Sequence, residues 1–590
     1  MVLEGTDRGS IPAFDRRFFT STDLCTRIGT GAVGGKAQGL LDARAAIEAL
    51  DLDPAWGIEV RIPRMIVVTT SVFDQFMALN ALGDRIASGL DDERIAHAFT
   101  QASLPAEWLG DFRAIVEEVH QPLAVRSSSL LEDALHRPFA GVYATKMIPN
   151  DQPDADARFQ RLTEAVKLVY ASTFFAEARR YRRAAAVGRE EKMAVLIQEV
   201  IGTRHDERFY PTVSGVAKSC NFYPVGSARR EDGVVHLALG LGKTIVDGGR
   251  CWVYAPTRPS VAPPYASVGE LLDSAQHEFW AVRMGTPPAF DPTFEDEFLV
   301  RAALEDAEYD GTLSLVASTY DPGSDRLYPG IGRAGPRAVD FAPVLALRKL
   351  RLNDVVQQLL ARCALAFEAP VEIEFAVATG RAADGAGRLG FLQVRPMVHS
   401  DAAVEVTEAE WGAATLLARS ARALGNGVDD TITDVVYVRP DRFVARATPR
   451  IAAELRVIND TLVAAGRPYV LLGFGRWGSS DPWLGIPVAW ADIAGARVIV
   501  EATLSSMDVE ASQGAHFFHN LSGFQVSYLS VHHDAVPGIA WEWLDALPAL
   551  AETEYVRHVR SPGALVTKVD GRSGRGGIWR PAASGGEGGT

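Results

Sequence analysis

At 590 residues the chain is too long for one hydrophobic core, and its length predicts about three to five domains. Hydrophobic residues make up 47% and charged residues 23%, the balance of a folded protein, which excludes a chain disordered throughout. A formal net charge of -15 excludes a broad surface for nucleic acid or anionic membrane, so a phosphate ligand would have to find its own Lys and Arg.

Cys25, Cys220, Cys251 and Cys363 are scattered without a CxxC pair, a usage that fits a reducing cytoplasm. Met1-Val2-Leu3-Glu4-Gly5 is soon followed by Asp15-Arg16-Arg17, so no apolar signal segment is expected. No later run approaches membrane-spanning length. A soluble cytoplasmic protein is the expectation.

In chain order, a Gly-rich loop leads into a helix predicted over residues 37–50, then a strand over 64–68. Thr69-Thr70-Ser71 supply N-cap chemistry for a helix carrying Phe73, Phe76 and Met77. An apolar strand runs into Arg126, and residues 156–187 have helical spacing. Their basic cluster Arg179-Arg180-Tyr181-Arg182-Arg183 reads as a solvated helix face. Strands are predicted at 194–198, 215–217 and 234–239, and a helix at 353–367 with Val355, Val356, Leu359, Leu360 and Cys363 on one stripe. This alternation predicts a mixed α/β (α+β) fold. A composition change after Met397 places a boundary near residue 400, followed by a separate, smaller α/β region over 401–566. The Gly/Ser/Arg-rich stretch over 567–590 is expected to be a disordered tail.

Two predicted strands near the end of the front half carry polar pairs. In Glu372-Ile373-Glu374-Phe375 the two carboxylates share a face, and in Gln393-Val394-Arg395-Pro396 an amide and a guanidinium do so. If the strands pair, the four groups converge and suit a divalent cation with a polyphosphate; an exposed hairpin with ion pairs is the plainer alternative. Thr30-Gly31-Ala32-Val33-Gly34-Gly35-Lys36-Ala37 joins a flexible turn, a Lys and a helix start, an arrangement that aims amides and an ammonium at phosphate. It is not a Walker A loop, because Thr30 stands at the first Gly and Ala37 at the Ser/Thr position. Gly242-Lys243-Thr244 fails the same test, since Leu237 replaces the required Gly. Leu123-Ala124-Val125-Arg126-Ser127-Ser128-Ser129 delivers an Arg into a hydroxyl-rich turn, where its partner is either an anion or Glu132 or Asp133.

Taken in order, these segments resemble the ATP-grasp nucleotide-binding region of phosphoenolpyruvate synthase and pyruvate phosphate dikinase over roughly residues 20–400. The matching pieces are Gly34-Gly35-Lys36, Val125-Arg126-Ser127-Ser128 with Glu132-Asp133 and Phe139-Ala140-Gly141, the strand ending in Gln198, Ser214-Gly215-Val216, Gly240-Leu241-Gly242, Glu372-Ile373-Glu374 and Gln393-Val394-Arg395-Pro396. The resemblance implies an N-terminal subdomain over 20–120 and the remainder of the nucleotide-binding domain over 121–400. It implies ATP and Mg2+ as cofactors, with Lys36 and Arg126 on the phosphates, Glu374 and Gln393 on magnesium, and Arg395 on the phosphoryl group in flight. Gln198 would line the adenine pocket, while Gly240, Gly242, Lys243 and Glu372 would lie near ribose and phosphates.

Two departures accompany it. The family usually has Glu directly after Gly-Leu-Gly, where this chain has Lys243, with Asp247 or Glu372 as compensating carboxylates. The Thr-Ser-His-Ala type loop that receives the phosphoryl group in the family is not found, nor is the pyruvate-handling barrel.

Residues 473–485 hold four Gly, Arg476, Trp477 and Trp483, a composition that suits either a ligand loop or a Trp-anchored structural turn. In Gly514-Ala515-His516-Phe517-Phe518-His519 two imidazoles are three residues apart, and with no Cys after Cys363 a structural zinc site is not expected. His516 is the candidate phosphoryl acceptor; partly buried, hydrogen-bonded histidines are the plainer alternative. The leading reading is an ATP- and Mg2+-dependent phosphotransferase with an unidentified acceptor, and the alternatives are a non-catalytic nucleotide sensor and, last, an ATP-grasp ligase.

Overall fold

The computed structural model describes residues 11–87, 90–129, 143–184, 191–221, 229–247, 249–261, 267–380, 387–397, 404–479, 481, 483–505, 521 and 526–581. Two mixed sheets organise the front half. In the first, the strands lie in the order Cys25–Ile28, Met65–Val68, Met193–Glu199, Leu123–Ser129, Thr145–Ile148, parallel in the first pair and antiparallel thereafter. Met65-Ile66-Val67-Val68 is apolar throughout because both of its faces are covered. Ile66 and Val68 join a core with Val72, Phe76 and Phe99, whereas Met65 and Val67 meet Leu40 and Ala43.

The second sheet has the order Trp252–Tyr254, Val234–Ala238, Val213–Lys218, Val371–Thr379, Gly387–Pro396, Ile58–Arg61. Its two faces differ in chemistry. Ile373, Phe375, Val377, Val394, Ala217, Val235 and Leu237 share a core with the helices Gly35–Glu48 and Leu352–Ala366. Alternation therefore turns Glu372, Glu374, Gln393, Arg395, Lys218 and His236 to the opposite face, because side chains along a strand point alternately to either side.

The C-terminal region is built on a sheet whose centre is four parallel strands, Gly427–Val438, Tyr469–Phe474, Ala496–Ala502 and Ser527–Val531. The helix Thr448–Ala464 makes the first crossover, burying Ile451, Leu455, Ile458 and Leu462. The hydrophobic core does not break at residue 400. The cluster holding Phe112, Val125 and Tyr170 continues into Ile451, Leu455 and Trp490, and the helix Ala176–Ala184 contacts the turn Trp490–Ile493. The C-terminal region is thus packed on the front half.

Within the stretch 567–590, expected to be a disordered tail, the described residues 567–581 are folded. The strand Val556–Val569 runs through residue 569, and Gly576–Trp579 inserts between it and Leu416–Ser420. Glycines are needed there, since a Cβ on Gly577 would lie 2.6 Å from the Trp579 ring and one on Gly576 2.7 Å from Ala423. A Gly-Gly-Ile-Trp strand has the composition of a flexible segment, which hid it. Among the described residues, no helix is long and apolar enough to cross a membrane.

Ile578 is fully buried in the C-terminal core. Ile578→Ala is expected to cost about 2–4 kcal/mol and lower the urea midpoint, as cavity-forming core truncations do; an unstructured tail would leave the midpoint unmoved.

Candidate functional site

The polar face of the second sheet carries a ladder of alternating charges. Glu372 pairs across the strands with Arg395 and Glu374 with Gln393 on one side, and Glu372 with Lys218 on the other. Lys218 Nζ lies 2.9 Å from Glu372 Oε2, Arg395 Nη1 3.7 Å from Glu372 Oε1, and Arg395 Nη2 3.3 Å from Glu374 Oε1. Arg126 completes the row from the first sheet. Its guanidinium donates to the Gln393 side-chain oxygen at 2.7 Å and to the Leu392 carbonyl at 2.9 Å, and lies 3.6 Å from Glu374. Among the described residues of this row, three cations alternate with two carboxylates. Arg395 is 2% exposed and Glu374 16%, so the row opens toward solvent at its Glu374 and Arg126 end.

Gly34 and Lys36 dock onto the same first-sheet strand that bears Arg126. Lys36 Nζ donates to Ser127 Oγ at 3.0 Å, and Ser128 Oγ donates to the Val33 carbonyl and accepts the Ala37 N–H. Gly34 has φ +80°, and a Cβ there would lie 1.6 Å from the Ser128 carbonyl oxygen, so only glycine permits this approach. Three amides of the loop's first half are taken up within the protein. Thr30, Gly31 and Ala32 donate their N–H groups to the hydroxyls of Ser71, Thr69 and Thr70. Those hydroxyls clamp the loop instead of capping the helix Thr70–Leu79, which starts without a side-chain cap bond.

At Gly240-Leu241-Gly242, Gly240 has φ +82° and its carbonyl accepts the Ser214 hydroxyl at 2.7 Å. Gly242 opens the short helix Lys243–Val246. Lys243 lies 3.1 Å from Asp247 and 3.2 Å from Asp296. Burial works against its charge, but these carboxylates outweigh it and hold the ammonium's pKa above the usual lysine range.

Gln198 is 3% exposed, donates to the Pro63 carbonyl at 3.2 Å, and borders a small hollow with Phe18, Arg64 and Glu199. That hollow lies by Leu123, at the far end of the strand from Ser127 and Ser128. Trp477 is 1% exposed, packs over Gly473 and donates its indole N–H to the Val500 carbonyl at 3.3 Å, so it is a structural anchor, while Trp483 is exposed. His516 and His519, Glu132, Asp133 and the Phe139-Ala140-Gly141 segment lie outside the described residues. Of the basic helix cluster, Arg179 faces Asp92 at 3.8 Å and Arg182 donates to the Thr173 carbonyl.

Sequence reasoning missed Lys218 and His236. Lys218 follows Ser214-Gly215-Val216 at the spacing that returns to Ser214's face, but pairing with a strand some 150 residues away leaves no local signal. His236 lies on the same face with Nδ1 3.7 Å from Cys251 Sγ. Burial, with help from the charges of Lys218 and Arg476, lowers its pKa to about 3, and burial raises that of Cys251 to about 12. Arg476, from the Gly-rich loop of the C-terminal region, is thus electrostatically felt at the front-half sheet.

Mixed sheets with helices on their apolar sides and a row of alternating charges on a polar face define the class: a mixed α/β protein. Residues 30–411 match the profile of the family described as pyruvate phosphate dikinase, AMP/ATP-binding domain, and the chain belongs to that family. The membership assigns it to ATP-utilising, phosphotransferase-like proteins, and the match spans every residue of the charge ladder. No curated protein matches the chain.

Two outcomes follow from the site. Lys218→Met leaves Glu372 short of a cation in a buried row and is expected to cost about 3–5 kcal/mol in a denaturant melt. His236 has a folded pKa near 3 against an ordinary 6.5, so its contribution to stability is present above pH 6.5 and is lost as pH falls toward 3. The loss is about 1.4 kcal/mol per pH unit below the unfolded value, and His236→Gln is expected to remove that slope from stability curves taken between neutral and mildly acidic pH.

Proposed function

We propose that the chain is an ATP- and Mg2+-dependent phosphotransferase whose front half binds ATP in an ATP-grasp arrangement. In this reading 20–120 is the N-terminal subdomain and 121–400 the remainder of one nucleotide-binding domain, whose two sheets each draw strands from both ranges, and 401–566 with the added strand Gly576–Trp579 serve the acceptor side. The observation that carries it is the ladder: Arg126 crosses from one sheet to the Glu374 and Gln393 of the other, directly beside Arg395.

Lys36 and Arg126 would hold ATP phosphates, with Gly240, Gly242 and Glu372 shaping the rest of the cleft. Asp247 and Asp296 beside Lys243 supply carboxylates near the place where the family has Glu. The oxygen chemistry at the open end fits magnesium. A carboxylate and an amide oxygen face each other across Glu374 and Gln393, and Mg2+ takes one or two such protein ligands with substrate phosphates. When bound, the ion would neutralise charge on the phosphates. Arg395, fixed between two carboxylates, would donate to the transferring phosphoryl group with little reorganisation, and positioning plus charge neutralisation dominates this class of reaction. His516 is the proposed acceptor nucleophile, because an imidazole nitrogen is competent near neutral pH. Four free thiols fit a reducing cytoplasmic setting.

Incubation with ATP labelled separately at the β and γ positions, followed by intact-mass analysis and acid treatment, tests the reading. An acid-labile gain of one phosphoryl group, lost in His516→Ala, is expected. Arg395→Gln should reduce transfer by about 10^2–10^3-fold, the scale for loss of one donor to transition-state charge. Protein that binds ATP but neither gains label nor consumes ATP would instead be a nucleotide sensor.

A further inference from the structure

The four parallel strands of the C-terminal sheet all finish on one edge, the side of a parallel sheet on which ligands collect. Ser527–Val531 ends there and delivers His532, His533 and Asp534 into a turn closed by the Ala535 N–H on the His532 carbonyl at 3.0 Å. One ligand atom from each of the three side chains lies within 4.8 Å of the others. The imidazole centroids are 4.2 Å apart; Asp534 lies 3.4 Å from His533 Nε2 and 3.8 Å from His532 Nδ1.

The neighbouring strand fixes one of the rings. Thr503, directly after Ala496–Ala502, accepts the His533 backbone N–H through Oγ1 at 2.9 Å, and the same oxygen is 2.9 Å from His533 Nδ1. In the Nδ1–H tautomer the ring donates to the Thr503 hydroxyl and carries its Nε2 lone pair on the side of Asp534, the arrangement that orients metal-binding histidines. The residues are exposed, so the group is not a closed structural site and a bound ion would keep positions for water or a ligand.

We propose that His532, His533 and Asp534 bind a divalent transition-metal ion through two imidazole nitrogens and one carboxylate oxygen. Imidazoles favour zinc-like ions over magnesium, which takes oxygen ligands, so this site and the proposed nucleotide site would select different cations. Metal-to-nitrogen distances of about 2.0–2.1 Å require the three atoms to draw closer than they stand here. Side-chain rotation in an exposed turn supplies that movement.

The test is titration of the full chain with Co2+ in an excess of Mg2+, without nucleotide, read by visible absorption and equilibrium dialysis, with Zn2+ as competitor. One Co2+ per chain, displaced by Zn2+, is expected. Thr503→Val should weaken binding by about 10–100-fold, as loss of an orienting partner does. The double variant His532→Ala/His533→Ala should abolish it with an unchanged melting temperature, while His516→Ala/His519→Ala should retain it. Failure of the parent to bind Co2+, or binding that survives His532→Ala/His533→Ala, overturns the proposal. Neither result bears on ATP turnover, which is measured separately.

Discussion

The alternation Arg126, Glu374, Arg395, Glu372, Lys218 is the interaction on which the front half depends. Each charge except those at the ends has an opposite charge on both sides, so a guanidinium as buried as that of Arg395 is tolerated. The row also fixes strand register. A slip of one residue between Val371–Thr379 and Gly387–Pro396 would turn both carboxylates into the core formed by Leu40, Val355 and Leu359. Because Arg126 belongs to the other sheet, the same interaction ties the two sheets together, and the row draws its cations from both.

The two polar strand pairs were legible because a period of two is a local property. Glu372 and Glu374 had to share a face wherever the strand lay. Arg126 was legible for a related reason, since an apolar strand ending in an Arg implies a partner; that the partner would be Gln393 and Glu374 depends on strand order, which carries no local mark. Lys218 was lost to the same non-locality. The hydroxyls of Thr69, Thr70 and Ser71 show a different failure: helix capping and loop clamping call for the same residue types, and only the tertiary approach of Thr30–Ala32 amides decides between them. At Gln198 the strand was legible, whereas the side-chain amide's bond to the Pro63 carbonyl depends on tertiary approach.

Family membership and geometry bear on different parts of the molecule. The profile match ends at residue 411, so it informs the ladder and says nothing of the sheet that follows. That sheet is not remote from the ladder, however. Arg476 lies in the short strand leading from the end of Tyr469–Phe474, and its charge is felt at His236, which shares a sheet face with Glu374.

The strand Gly576–Trp579 sits between two partners, one of them Leu416–Ser420, from which it is separated by some 160 residues of chain. Until residue 579 has left the ribosome, Leu416–Ser420 lacks its neighbour and the sheet presents an open edge, a state that invites pairing with other chains. The front half can collapse during synthesis, but the C-terminal sheet is completed only after it. The last neighbour of Leu416–Ser420 is therefore supplied by four residues whose composition resembles a linker.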